Sequence, residues 1–117
     1  MKPYSRADRV GTQLQRELSE ALRKEVKDPR LAMATITAVK MSRDLKHARI
    51  YYISSGGQKS QEEVDAGFEQ ARGYLKRYLA HHLGMRYMPE IKFFYDDSFE
   101  YGSRIERLLG EIKKENG

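Results

Sequence analysis

Three histidines are the first side chains in this sequence that could bind a metal ion or act as a general base. His81 and His82 are adjacent, and adjacent residues of a helix point about 100° apart, so they cannot chelate one ion as a pair four residues apart can. His47 lies in a segment with strand character. We interpret all three as surface histidines, and the sequence predicts no metal site and no cofactor.

An acidic cluster, Asp96, Asp97 and Glu100, could hold a divalent ion for phosphodiester cleavage. However, the cluster follows a predicted strand and precedes a predicted helix. Asp97 and Glu100 are therefore better explained as charges at the N-terminus of that helix, where they complement free amides and the helix dipole. The glycine patterns of nucleotide hydrolases and acyl transferases do not occur. We predict that the chain is not an enzyme and has no catalytic residues.

Basic residues form a sharper pattern than the candidate catalytic groups. Between Gln70 and Pro89 there are four cations and no acid, and between Arg30 and Lys59 six cations accompany a single acid, Asp44. Scattered Lys and Arg are commonly just solvated surface, but two such acid-poor stretches together favour a phosphate-facing surface. Tyr51, flanked on its strand face by His47 and Arg49, is a further candidate for base stacking.

The elements that position these residues can be predicted from periodicity. Ser5 to Asp8 has the form of a capping box, and apolar residues then recur at helical spacing until Asp28-Pro29 ends the helix. Leu31–Met41 and Lys46–Ser54 are predicted to be strands of an antiparallel hairpin, with a phase slip between Ile36 and Val39 that indicates a bulge or two buried faces.

A second capping box at Ser60 opens a helix that Gly73 interrupts and that ends at Gly84. A third strand, 86–95, follows, and its aromatic end, Phe93, Phe94 and Tyr95, is predicted to be core. A C-terminal helix is expected over about 98–115. This order predicts an α+β fold with a three-stranded mixed sheet, because a helical crossover normally returns the chain to a parallel strand.

Composition sets the class of protein. The chain has 117 residues with no dividing linker, so we predict a single domain over 1–117 with its core at about 5–96. The net charge of +5 points towards a polyanionic partner without choosing between nucleic acid, anionic lipid and acidic protein. Cysteine is absent, and the N-terminus shows no signal peptide or membrane span, so a cytoplasmic protein is expected. We also predict that it is a monomer.

Three separated motifs resemble the hallmark segments of the ribosome-binding factor A family. They are Lys27-Asp28-Pro29-Arg30-Leu31, Met41-Ser42-Arg43-Asp44-Leu45 and Pro89-Glu90-Ile91-Lys92-Phe93-Phe94-Tyr95-Asp96. The likeness runs from about Ser5 to Leu109. It implies a type II KH-like domain, α-β-β-α(kink)α-β, in which the Gly-x-x-Gly loop of ordinary KH domains is replaced by an Ala-x-Gly kink at Ala71-Arg72-Gly73.

The resemblance also implies a function. It predicts an assembly factor that binds the small ribosomal subunit and its precursor rRNA during late maturation, supports 5′-end processing of the rRNA indirectly, and matters most in the cold. Gly73 would let the backbone approach phosphate, or would simply allow close helix packing. Our predicted RNA-binding residues are Arg43, Lys46, His47, Arg49, Ala71, Arg72, Gly73, Lys76, Arg77 and Arg86.

An alternative from another functional class stays open at this point. The chain could be a protein-interaction or regulatory module that acts through a strand edge or the C-terminal helix. Phosphate-dominated binding weakens steeply with salt, whereas a mainly apolar interface does not, so salt dependence separates the two hypotheses.

Overall fold

A computed structural model describes residues 4–55 and 60–98 of the chain. Its elements follow in the order α1 (Arg6–Lys24), β1 (Ala34–Met41), β2 (His47–Ser54), α2 (Gln61–Leu83) and β3 (Glu90–Tyr95), with a short 3₁₀ turn at Pro29–Leu31. The predicted C-terminal helix, about 98–115, lies outside the described residues apart from Ser98. That the whole chain forms a single domain stays a prediction.

Helix α1 begins as its sequence predicts. The Ser5 hydroxyl accepts a hydrogen bond from the Asp8 amide, and the Asp8 carboxylate accepts one from the Ser5 amide, which completes the capping box. Leu14, Leu18 and Ala21 are fully buried on the apolar face. The helix ends at Lys24, earlier than predicted, and the Val26 amide departs from the helical pattern by donating to the Ala21 carbonyl five residues back. Asp28 then caps the 3₁₀ turn instead.

The sheet has the strand order β1-β2-β3, with β1 and β2 antiparallel and β2 and β3 parallel. The register shifts between Ile36 and Ala38, so the phase slip seen in the sequence is a β-bulge. The α+β class and the three-stranded mixed sheet are thus confirmed. The type II KH-like assignment stays a prediction.

All three strands begin later than predicted, β2 by a single residue, at His47 rather than Lys46. Strand β1 begins at Ala34 rather than Leu31, because Leu31 closes the 3₁₀ turn and is buried there. Strand β3 begins at Glu90 rather than Arg86, since the residues from Met85 to Pro89 form the connection from α2. Pro89 therefore precedes the strand, where its missing amide removes no ladder hydrogen bond.

Helix α2 is one helix where the sequence predicted two segments meeting at Gly73. It runs without interruption through Gly73 and ends at Gly84, which has the left-handed conformation (φ 62°) of a C-terminal cap. A single mid-helix glycine costs about 1 kcal/mol relative to alanine. Burial of four large apolar side chains on both sides of that position outweighs this cost; they are Val64, Phe68, Leu75 and Leu79.

The core lies between the two helices and one face of the sheet. Strand β2 supplies Ala48, Ile50 and Tyr52 to it, all essentially inaccessible to solvent, as their alternation predicted. The Tyr52 hydroxyl donates a hydrogen bond to the Asp65 carboxylate and so joins β2 to α2. On the opposite face of β2, His47 and Arg49 are exposed and Tyr51 is half-buried.

Candidate nucleic-acid interface

The first group of predicted binding residues surrounds the turn between β1 and β2. Arg43, Lys46, His47 and Arg49 are all exposed. Asp44 holds the turn in shape, because its carboxylate accepts from the Ser42 hydroxyl at 2.6 Å and from the Lys46 amide at 3.0 Å. These two hydrogen bonds, the first contributing more, lower the pKa of the Asp44 carboxyl. The single acid of this stretch therefore stabilises the turn that presents its cations.

Leu45, in the same turn, has a φ of 62°, in the left-handed region that branched aliphatic residues rarely adopt. Its amide donates to the Ser42 carbonyl at 3.0 Å. The bonds made by Asp44 and Leu45 together impose this conformation, which carries a steric cost of about 1 to 2 kcal/mol. The turn is accordingly a rigid feature between the basic residues Arg43 and Lys46.

The second group lies on α2. Ala71 is half-buried and packs against the core, whereas Gly73 and Arg77 are exposed. Arg72 forms an ion pair with Glu69 one turn earlier, at 3.5 Å. Lys76 contacts the Glu90 carboxylate at 2.7 Å. Within residues 4–55 and 60–98, no ion pair involves Arg77.

Glu90 is the point at which the two groups meet. It pairs in register with His47 of β2, and its carboxylate accepts a hydrogen bond from Lys76 of α2. That hydrogen bond is the main cause that lowers the pKa of Glu90, with smaller electrostatic contributions from Arg72 and His47. His47 and Lys76, about 30 positions apart in the sequence, therefore both lie beside Glu90 at one edge of the sheet. A shared phosphate-binding surface requires such an arrangement.

Arg86 lies at the end of the fold where α2 turns into β3. It is exposed, and its guanidinium lies over the Tyr87 ring, 5.4 Å from the centroid. A groove of about 630 Å³ opens here, and both Arg86 and Lys46 of the β1–β2 turn line it. The remaining side chains along the groove include one further arginine and five apolar residues: Arg6, Val10, Leu45, Leu83, Met85 and Met88.

Gly73 is exposed, and a β-carbon added to it would meet only the Arg77 guanidinium, at 3.5 Å, among the described residues. Close helix packing therefore does not account for this glycine. Gly67 has that role instead, because a β-carbon there would lie 3.1 Å from the buried Leu31 side chain. The other explanation, that Gly73 lets a phosphate group come close to the helix backbone, stays a prediction.

Sequence reasoning missed part of the basic surface on the sheet. Lys92 lies on the same outward face as Arg49, its register partner, and was not among the predicted residues. Phe94, predicted to be core together with Phe93 and Tyr95, is 39% exposed, so that prediction was wrong for Phe94. The alternation of side chains along β3 could have predicted both results. Ile91 is buried, so Lys92 and Phe94, one and three residues later, lie on the opposite, exposed face of the strand.

The candidate catalytic groups have structural partners. Asp96 accepts a hydrogen bond from the Thr37 hydroxyl at 2.5 Å and another from the Ser98 amide at 3.0 Å. Asp96 thus accepts from an amide at the start of the predicted C-terminal helix, while the role predicted for Asp97 and Glu100 depends on amides outside the described residues and stays a prediction. The His82 ring stacks on Tyr78 with centroids 3.8 Å apart. In the described part of the chain, no three metal-ligating side chains come together.

Neither described helix is both long and apolar enough to cross a membrane.

The amino-acid sequence is similar to those of known proteins of one family. The family model for ribosome-binding factor A matches residues 6–109. The ribosome-binding factor A of Desulfatibacillum aliphaticivorans is 52% identical over 112 residues, which cover 96% of this chain and 91% of that protein.

Two structural comparisons point the same way. The crystal structure of the Thermus thermophilus factor is similar with a TM-score of 0.69 at 27% identity, covering 76% of this chain and 93% of that one. A homology model of the T. thermophilus factor, fitted into the cryo-EM map of its complex with the 30S subunit, is similar with a TM-score of 0.61 at 28% identity. The second match covers 72% of this chain and 88% of the other.

Proposed function

Since the chain belongs to the ribosome-binding factor A family, we propose that it binds the small ribosomal subunit and acts as a factor in the assembly of that subunit. The observation that carries this proposal is the match to a factor fitted into a map of its 30S complex. The protein is expected to act as a monomer in the cytoplasm, the compartment of bacterial ribosomes.

The distribution of charge supports an RNA-facing role within that function. The two acid-poor stretches of the sequence come together at the β3 edge, where Lys76 and His47 both lie beside Glu90. Cations held on rigid elements neutralise phosphates without a large ordering cost. We therefore propose that the ten residues predicted from sequence contact precursor rRNA, with the α2 cations around Gly73 at the centre.

The mechanism needs no bond to be made or broken. A folded surface that fits one conformation of the precursor rRNA stabilises that conformation by its differential affinity, and it dissociates once maturation removes the fit. Support of 5′-end processing is then indirect, since separate nucleases would perform the cleavage. On the same reasoning, the contribution of the factor is largest in the cold, where wrongly paired RNA rearranges slowly.

Sedimentation tests the proposal. The full chain should travel with free small subunits through a gradient and should be absent from translating ribosomes. Absence from the small-subunit fraction would overturn the proposed function. In a separate assay, precursor rRNA incubated with the protein and magnesium or manganese should stay intact; cleavage that disappears on Asp96→Asn or Asp97→Asn substitution would contradict the non-catalytic role.

A further inference from the structure

The sheet face turned away from the helices carries three cations in one row. Lys40 of β1 is the register partner of Arg49 in β2, and Arg49 is in turn the register partner of Lys92 in β3. All three side chains are exposed. Neighbouring strands lie about 4.8 Å apart, so the row extends over about 10 Å, enough for neighbouring phosphates of an extended nucleic-acid strand.

This row is unfavourable for the protein alone. Like charges directly opposite each other on adjacent strands destabilise a sheet. Within residues 4–55 and 60–98, no ion pair relieves Lys40, Arg49 or Lys92. The acid beside the row, Glu90, is already bonded to Lys76 on the α2 side. The positive charge of the row is therefore available to an external anion, which would remove the repulsion.

An aromatic pair lies directly beside the cations. Tyr51 and Phe94 are register partners one pleat further along β2 and β3, with ring centroids 5.8 Å apart. Phe94 is 39% exposed, although its neighbours Phe93 and Tyr95 pack against the core. A basic row next to exposed rings is the combination that binds single strands, because unpaired bases stack on the rings while phosphates meet the cations.

We propose that this face binds a single-stranded segment of RNA, with phosphates along Lys40, Arg49 and Lys92 and a base stacked on Phe94. The segment would belong to the precursor rRNA, and in this respect the inference rests on the proposed function. Duplex RNA fits less well, since its bases are stacked inside the helix and it offers only its backbone and a shallow minor groove.

The experiment compares four variants of the full chain. In the row variant, Lys40, Arg49 and Lys92 are each replaced by Gln; in the ring variants, Phe94 is replaced by Ala or by Tyr. A charge-matched control replaces Arg9, Arg16 and Lys27, exposed cations at or beyond α1, by Gln. The probe is a fluorescent single-stranded RNA of about 12 nucleotides and mixed sequence, with the matching duplex as comparison, and binding is followed by anisotropy at several salt concentrations.

The row variant should bind the single strand at least about 10-fold more weakly, and its salt slope should fall by about 2, because three phosphate contacts are lost. Phe94→Ala should lower affinity on the order of 10-fold with little change in slope, and Phe94→Tyr should restore it. The control variant should keep most of the affinity. Thermal melting should show the row variant to be at least as stable as the parent, because like-charge repulsion is removed.

Two results would overturn the inference. One is single-strand affinity in the row variant equal to that of the control, with both variants folded by circular dichroism. The other is an equal loss for single strand and duplex without any effect at Phe94, which would show a plain charged surface. Cosedimentation of the parent with small subunits is measured in parallel, so failure of this inference is distinguishable from failure of the proposed function.

Discussion

The ammonium group of Lys76 lies 2.7 Å from a carboxylate oxygen of Glu90, and this contact joins the exposed side of α2 to the first residue of β3. Both side chains remain accessible to water, with 33% and 62% of their surfaces exposed. Ion pairs of this kind contribute little to stability. If the proposed RNA-binding surface is correct, the contact places an acid beside two of its predicted cations, Lys76 and His47.

Replacement of Glu90 by Gln should therefore tighten binding to small subunits. The change removes a negative charge beside Lys76 and His47 and frees the Lys76 ammonium for phosphate. We expect affinity to rise by about 2- to 10-fold, with a steeper salt dependence and a nearly unchanged melting temperature. Anisotropy with labelled small subunits measures the first two quantities. Weaker binding would show that Glu90 contacts the partner itself.

The pH dependence of this pair follows from the lowered pKa of Glu90. A carboxyl whose pKa is lower in the folded state stabilises that state above its unfolded pKa, and the contribution is lost as pH falls through the folded value. The pair should thus persist at neutral pH and break only on the acidic side of the ordinary range for glutamate. An NMR titration of the Glu90 carboxyl carbon should show this, and a midpoint above that of a model peptide would contradict it.

Replacement of Arg72, Lys76 and Arg77 by Ala should lower affinity for small subunits while the melting temperature stays nearly constant. The three side chains are exposed or half-buried on α2, and alanine favours the helix. Loss of three phosphate contacts should reduce the salt slope by about 2 to 3. The control with Arg9, Arg16 and Lys27 replaced should bind almost normally. Equal affinity of both variants would shift the site to Arg43, Lys46 and Arg49.

Two glycines of α2 should respond to alanine in opposite ways. Gly73→Ala should stabilise the protein by about 1 kcal/mol, since the added methyl makes only an ordinary van der Waals contact with the flexible Arg77 side chain and alanine favours the helix. Gly67→Ala should destabilise it by about 1 to 3 kcal/mol, because the new methyl would press on Leu31 and on the Arg30 β-carbon at 3.1 to 3.2 Å. Chemical denaturation measures both changes.

Binding separates the possible roles of Gly73. If the backbone at this position approaches phosphate, Gly73→Ala should weaken binding to small subunits even though the protein becomes more stable. Stability and affinity would then move in opposite directions, which a purely structural role does not produce. Unchanged affinity in the stabilised variant would show that no close approach takes place at Gly73.

Replacement of Tyr52 by Phe tests the bond that fastens α2 to the centre of the sheet. Burial raises the pKa of the Tyr52 hydroxyl, and its hydrogen bond to Asp65 raises that pKa further. The phenol therefore stays protonated well above the usual range for tyrosine. Tyr52→Phe leaves the Asp65 carboxylate without this donor, so we expect a loss of about 1 to 2 kcal/mol in chemical denaturation. A loss below about 0.3 kcal/mol would show that water replaces the hydroxyl fully.

Local patterns in the sequence were sufficient for much of the fold. The capping box at Ser5 and the terminal cap at Gly84 were predicted, and the bulge near Thr37 was one of two predicted alternatives; all three depend on residues within a few positions of one another. The alternation in β2 likewise placed Ile50 and Tyr52 inside. These features need no knowledge of distant contacts, because side-chain hydrogen bonds and periodicity act over one or two turns.

Two predictions were wrong at residues whose own conformational or burial preference is opposed by packing against residues far away in the sequence. Gly73 by itself favours a helix break, yet the burial of Phe68 and Leu75 on either side keeps α2 continuous. Phe94 by its apolarity favours the core, yet the register of β3 against β2 turns it outward beside Tyr51. In each case the energy of many tertiary contacts exceeds the preference of one residue.

The sequence alone therefore determined the family, the approximate positions of most helices and strands, and the excess of basic residues. Only the tertiary structure decided which cations share a surface: Lys40, Arg49 and Lys92 come from three segments and meet because β3 returns parallel to β2 after the α2 crossover. It also decided that Lys76 faces Glu90. The physical reason is that strand register sets these distances, and register depends on contacts between residues far apart in the chain.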